Sequence, residues 1–415
     1  MGTSAGQTRH LTGHLTGHLT GQLRRPLAAA GLALAAAAGL AGALPAAAAS
    51  FKAVLLVPAD DPRLERDRLE RGVLGQPTGP VADAVAVALK EGRLELDTAG
   101  ASLTLETVEV ADAAAARAAA AKAEKAGALA LLADLPAPWL SAAVDAVKLP
   151  VLNVDTADEA LRGSGCRPHL LHVGPGERMR ADAVAQWLTT RNWRNVLLLT
   201  GPTPADATRG AIVQASLKRY GLKTVASKPF KLSADPRERD LANPLLLTAA
   251  SVGAYDAIWI VDTDGEFAQM LPYRTALPRP VVGDAGLVAL AWSGKYDRYG
   301  APQVSRRLTK AVGRRMESHD WTAWLAGKAL VAAAVAAPKG PLAATQKALA
   351  AVEVDGSKGV AMSFRPWDGQ LRQPLLLTDG QAVIGTAPID GLLHPKNVLD
   401  TLGADAPEKL CKARP

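Results

Sequence analysis

The sequence predicts an α/β protein of two lobes, each a parallel sheet flanked by helices, followed by a C-terminal β-hairpin. Three observations predict it. Short apolar runs alternate with helically spaced segments from Phe51 to Gly283. The alternation restarts once, after the turn Gly174-Pro175-Gly176. The last part changes to short apolar runs separated by Asp-Gly turns. Parallel neighbours need a crossover, usually a helix, which explains the spacing of the apolar runs. Two successive β-α-β-α series imply two such sheets.

The elements follow in order. Phe51–Val57 is apolar and stops at Pro58, so it reads as a buried strand. Val81–Lys90 has helical spacing, and Leu103–Val110 alternates as a strand. Asp112–Ala126 is an Ala-rich helix with a capping Asp. Ala128–Leu132 is a strand, Pro136–Val147 a helix and Val151–Val154 a strand ended by Asp155. His169–Val173 closes the first series. The second series reads helix Arg178–Thr190, strand Val196–Leu199, helix Ala205–Tyr220, strand Leu222–Phe230 and helix Arg237–Ala250. Strand Ala257–Asp262, helix Glu266–Leu271 and strand Pro280–Gly283 complete it. Leu287–Val352 is read as mostly helical, with Asp320–Ala337 its clearest member. Val360–Phe364, Pro374–Leu377 and Ala382–Ile384 read as antiparallel strands, with turns at Asp368-Gly369 and Asp379-Gly380. Beyond Pro388 the pattern dissolves into a tail.

The N-terminus predicts export. Arg24 and Arg25 precede an apolar run from Leu27 to Leu44, and small residues follow at Ala46–Ser50. A basic flank, an apolar stretch and an A-x-A site make a signal peptide. The run is short and weakly hydrophobic for a membrane span, so no stable membrane insertion is expected. A repeat, LTGHLTGHLTGQL (Leu11–Leu23), lies upstream and is expected to be removed with it. Residues 1–49 hold three Arg and no acid, so cleavage after Ala49 leaves 44 basic against 40 acidic residues, a net charge of +4. That mild charge, without a basic cluster and with few aromatics, argues against nucleic-acid binding. The remaining length suits two domains with real cores. Cys166 and Cys411 are the only cysteines, and both lie in the exported part. An even pair there is expected to form one disulfide, and metal-ligand spacing is absent.

Ligands of open α/β sheets bind beyond the carboxyl ends of the strands. The polar residues that follow each strand are therefore the candidates: Asp60 and Asp61; Asp134; Asn153 and Asp155; Thr200; Asp262, Asp264 and Glu266; and Asp284. The set is rich in carboxylates. Clustered oxygen donors suit a hard cation or a cationic organic ligand. Equally, an Asp between strand and helix is a helix cap, and a first-turn Glu favours the helix dipole. Both readings stay open for Asp262-x-Asp264-Gly265-Glu266. His169 and His172 point to opposite faces of their strand, against joint ligation. Trp292 and Tyr296 suit core packing or ligand stacking. Arg365, Trp367 and Asp368 suit a hairpin turn.

No phosphate loop, G-x-S-x-G elbow or H-E-x-x-H helix is present, and Gly174-Pro175-Gly176 lacks the third glycine of a dinucleotide fingerprint. Neither an enzyme nor a cofactor is expected.

Three stretches resemble the type I periplasmic-binding fold of the branched-chain amino-acid receptors. They are KLPVLNVDTADEAL (Lys148–Leu161), DWTAWLAGKALVAAAV (Asp320–Val335) and GVAMSFRPWDGQLRQPLLL (Gly359–Leu377). The segments DDPRLE (Asp60–Glu65), VDTDGEF (Val261–Phe267), FRPWDGQLRQP (Phe364–Pro374) and LDTLGADAPEKLC (Leu399–Cys411) resemble one subfamily. It comprises substrate-binding proteins linked to PQQ-dependent alcohol dehydrogenase systems of Gram-negative bacteria. The resemblance implies a periplasmic protein that serves an ABC permease and binds a small molecule or a metal complex. A quinoprotein alcohol dehydrogenase is the other implied partner. The implied division is lobe one at 50–173 plus 284–351, lobe two at 174–283 plus 352–387 and a tail at 388–415. Linkers are expected near Val173–Glu177, Asp284–Val288 and Val352–Lys358. Amino-acid receptors of this fold usually carry a Ser or Thr pair after the third strand. Here that run is Ala133-Asp134-Leu135-Pro136-Ala137. The hydroxyls are missing and an acid stands nearby, which argues against an ordinary amino-acid ligand.

Overall fold

The computed structural model describes residues 49–414. The expected export leader, with its repeat and apolar run, lies outside the described residues. β1 (Ala49–Pro58) starts the first sheet, and its run Ala53–Leu56 is almost wholly buried. That burial fits a parallel strand covered on both faces. α1 (Arg66–Arg71), α2 (Val81–Glu91) and α3 (Arg93–Ala99) lead to β2 (Ala101–Val110). α4 (Ala113–Lys125) leads to β3 (Ala130–Ala133), and α5 (Ala137–Val144) to β4 (Val151–Asn153) and β5 (Leu170–His172). Asp112 caps α4 by accepting from the Ala115 N–H at 2.7 Å. The order is β2-β1-β3-β4-β5, all parallel.

α6 (Glu177–Thr190) enters the second lobe. There β6 (Asn195–Thr200), α7 (Pro204–Arg219) and β7 (Lys223–Pro229) are followed by two one-turn helices, α8 (Arg239–Ala242) and α9 (Pro244–Leu247). The sequence pattern had these two as one helix, 237–250. Pro244 breaks it by excluding helical backbone at Asn243, whose side chain instead accepts from the Leu245 N–H at 3.0 Å. β8 (Ala257–Val261), α10 (Glu266–Met270) and β9 (Val281–Gly283) complete a parallel sheet of order β7-β6-β8-β9.

The stretch expected to be mostly helical begins with a strand, β10 (Val288–Leu290). α11 (Ala301–Val312), α12 (Ser318–Ala336) and α13 (Leu342–Ala351) follow. α12 is buried nearly all round because its apolar residues circle the axis. Trp321 stacks on Trp292 with ring centroids 5.9 Å apart, and Tyr296 packs beside them, so these aromatics are core.

β11 (Glu353–Asp355) and β12 (Ala361–Ser363) form a hairpin whose Val354 and Met362 join the first-lobe core. β13 (Leu375–Thr378) pairs antiparallel with β10 on one side and with β14 (Val383–Ala387) on the other. That sheet buries Ala289, Leu375, Leu377 and Ala387 in the second-lobe core with α6. The segment 352–387, expected wholly in lobe two, is therefore divided between the two cores. Lys358 lies at the crossing, buried over the Trp321 ring and donating to the Pro374 carbonyl at 2.9 Å. Burial pushes its ammonium well below the ordinary lysine value.

Arg365 is not merely a turn residue. It is buried, binds Asp400 and donates to the carbonyls of Leu399, Leu402 and Ala404. It thereby pins the tail beside α6 and α7, where Gly403 N–H also donates to Asp182. The tail then reaches the first lobe, where Cys411 is disulfide-bonded to Cys166.

Candidate functional site

The carboxyl ends of both parallel sheets face a cleft made of two cavities of about 230 and 260 Å³. Gly75, Gln76, Glu177 and Arg180 line both. Gly75 has φ +82°, and a Cβ there would stand 2.8 Å from Leu290. The close passage of this segment across the cleft therefore favours glycine. Gly283 has φ +109°, and a Cβ there would run into the Ile260 carbonyl.

The lobe-one wall is an ion-pair network centred on Arg63. Its guanidinium lies 2.7 Å from Asp61, 3.0 Å from Asp134 and 2.9 Å from Asp155. His319, in the first turn of α12, adds contacts of 3.1 Å to Asp134 and 3.6 Å to Asp155. Burial opposes the charge on Asp134, but His319 and Arg63 overcome it and hold the carboxyl below the usual range. Burial likewise disfavours a charged His319, yet Asp134 outweighs it and raises the ring above the ordinary histidine value. Asp155 is pushed up, chiefly by burial. Asp134, Asp155 and His319 each offer a ligand atom, all within 4.8 Å of one another. The Arg63 guanidinium already occupies the carboxylates, and the raised His319 favours a proton over a metal. The arrangement therefore fits a cation poorly.

The lobe-two wall is built on α6 and α7. Arg209 lies 2.5 Å from Asp284 and 3.3 Å from Glu177. Asp284 also accepts from the Asp262 N–H at 2.7 Å. Among the described residues Arg180 approaches only the carboxylate of Glu177, at 3.9 Å. The Nε of Arg180 is buried without a hydrogen-bond partner among the described residues, while that of Arg209 faces Glu177 at 3.3 Å. Val184, Val213, Trp259 and Leu290 give this cavity an apolar side.

The predicted residues divide accordingly. Asp61, Asp134 and Asp155 meet through Arg63. Asp262 and Asp284 meet at β8 and β9. Asp262 also accepts from the Ala268 N–H at 2.9 Å, a cap on α10. Asp264 turns across the cleft to Arg68 at 3.0 Å and Arg71 at 3.6 Å. Glu266 is exposed. The acidic triplet 262, 264 and 266 thus does not converge as a cation site. Asp60 is exposed and lines neither cavity. Thr200 borders a separate shallow depression with Gly210 and Lys228. The Asn153 side chain is used internally, donating to the Thr156 carbonyl and meeting His172 at 3.0 Å. Four cleft residues, Glu177, Arg180, Arg209 and His319, escaped the survey of strand ends because they sit on helices. The pattern Glu177-x-x-Arg180 just after Gly174-Pro175-Gly176 was the available signal.

No protein-family model matches the sequence, and no curated protein matches it either. Solved structures do match. An ABC transporter substrate-binding protein from Sphaerobacter thermophilus superposes with TM-score 0.65 at 15% identity, over 82% of this chain and 98% of its own. A branched-chain amino-acid ABC transporter periplasmic ligand-binding protein from Burkholderia xenovorans gives 0.66 at 13%, over 81% and 95%. A solute-binding protein of an ABC transporter from Rhodopseudomonas palustris, in complex with 3,4-dihydroxybenzoic acid, gives 0.60 at 14%, over 79% and 92%. At these identities the likeness is one of fold: two parallel sheets flanked by helices, in the type I periplasmic-binding arrangement.

Proposed function

We propose that the chain is the solute-binding component of an ABC importer, working in the periplasm and handing a small ligand to a permease. One observation carries this reading: side chains from both lobes line one cleft and meet across it. Arg68 and Arg71 reach Asp264, and the Gln269 amide donates to the Arg71 carbonyl at 2.8 Å. Ligand contacts to both walls would favour the closed arrangement over an open one. The neighbours support the reading, since they are substrate-binding proteins of transporters. No described helix is long and apolar enough to cross a membrane.

A finer setting, service to PQQ-dependent alcohol oxidation, rests on the resemblance of Asp60–Glu65, Val261–Phe267, Phe364–Pro374 and Leu399–Cys411. In that setting the chain either feeds a permease or docks on the quinoprotein dehydrogenase. A calcium or lanthanide receptor is a second reading, favoured by the neighbouring carboxylates of Asp134 and Asp155 and opposed by Arg63 and by the nitrogen ligand His319. Co-purification of the exported chain with permease or with dehydrogenase tests the partner. Capture of the permease is the expected result. Capture of the dehydrogenase alone would replace import with docking. A melting shift on adding Ca²⁺ or La³⁺, lost in Asp155→Asn, would favour the metal reading.

A further inference from the structure

Three arginines reach the cleft, and they differ in what already holds them. Arg63 has three carboxylates within 3.0 Å. Arg209 has two, at 2.5 and 3.3 Å. Among the described residues Arg180, whose side chain is 32% exposed, has only Glu177 at 3.9 Å, and Arg209 holds that same carboxylate more closely. A single carboxylate cannot saturate two guanidinium groups, each with five N–H donors. Buried polar groups in folded proteins are nearly always hydrogen-bonded, so a buried donor without a partner needs an explanation. Arg180 Nε is such a donor, and Arg180 lines both cavities at their junction. Arg209 Nε, by contrast, faces the Glu177 carboxylate at 3.3 Å.

The acids nearby do not compete for this role. Asp155 faces Arg63 and His319, and Asp284 faces Arg209. Asp262 accepts from a backbone N–H. What the cleft lacks is an acceptor beside Arg180. The planar guanidinium fork matches a carboxylate, and such pairs are commonly bidentate. Next to it lies the apolar side formed by Val184, Val213, Trp259 and Leu290. Apolar walls with a few placed polar groups are the usual make-up of a small-molecule site.

We propose that the ligand is a small organic acid, its carboxylate received by Arg180 and its apolar body laid against Trp259 and Leu290. The inference rests on the solute-binding reading and names the class of solute.

The test is calorimetric titration of the exported chain with paired probes. Benzoate, hexanoate and 3,4-dihydroxybenzoate are set against benzamide, hexanamide and hexylamine. The expected result is binding of at least one acid and none of its amide. Arg180→Gln should weaken that acid about 100-fold, the scale of a lost charged hydrogen-bonded partner, while Arg180→Lys restores part of the affinity. The variant's unliganded melting temperature reports on folding separately. Binding of an amide or amine with unchanged affinity in Arg180→Gln would overturn the inference while leaving a receptor. Mass spectrometry of small molecules released from protein purified from periplasm gives a second readout. A released acid supports the inference, a released non-acid overturns it, and no ligand by either method counts against the receptor reading itself.

Discussion

Arg63 and Arg180 occupy opposite walls of one cleft and do different work. Arg63 is surrounded by Asp61, Asp134 and Asp155, and their charge raises its already high pKa further despite its burial. Arg180 has one distant acid and a buried N–H without a partner. In the lobe-one wall each of these charges has an opposite charge within 3.1 Å, whereas Arg180 in the lobe-two wall has none nearer than 3.9 Å among the described residues. A cleft rich in carboxylates is therefore not a cation trap when its own arginines already neutralise them.

The largest expected effect bears on both lobes at once, because the tail pinned on lobe two is bonded to lobe one. Cys166→Ser with Cys411→Ser should cost about 5.5 kcal/mol in the chain-entropy view of so long a loop. Loss of a single cooperative unfolding transition would show by calorimetry that the bridge couples the lobes. Next comes the completeness of the lobe-one wall. Arg63→Ala strands Asp134 and should cost about 3 kcal/mol, the scale for breaking a buried pair, read as a melting temperature several degrees lower. Arg180→Gln should leave the unliganded melting temperature within about 1 °C, because it removes no saturated partner. Equal losses in the two variants would erase the distinction between the walls.

A smaller effect is pH-dependent. His319 is raised, so its contribution is full below the ordinary histidine value of 6.5 and fades as pH rises through its own higher value. Asp134 is lowered, so its contribution is full above 3.8 and fades as pH falls through its own lower value. Between those limits the pair is worth most. His319→Gln should therefore flatten the fall in melting temperature on the alkaline side of neutrality. The smallest effect belongs to the exposed contact across the cleft. Asp264→Asn should change stability by no more than about 0.5 kcal/mol, and should slightly favour the open form in scattering.

Much of the fold was legible. The strands of both parallel sheets and the hairpin turns follow from apolar runs and Asp-Gly pairs, which are local signals. β10 merges with the apolar stretch that leads into the helices, and β11 has a single apolar residue, Val354, so neither stands out as the other three-residue strands do. The lone Pro244 was underweighted against helical spacing around it. The strand-end rule found Asp134, Asp155, Asp262 and Asp284, since it uses topology alone. It could not join them to Arg63, Arg209 or His319, because those pairings depend on where helices pack. Thr200 and Asp60 satisfied the rule and still face elsewhere, since a loop's course after the strand is not written in the strand.

The central claim is capture between lobes that close. X-ray scattering of the exported chain, with and without the tightest-binding acid of the probe set, tests it most directly. The account predicts a wider particle without ligand and a compact one, matching the closed arrangement of Arg68, Arg71 and Asp264, when it is bound. An unchanged profile at saturating ligand would contradict it.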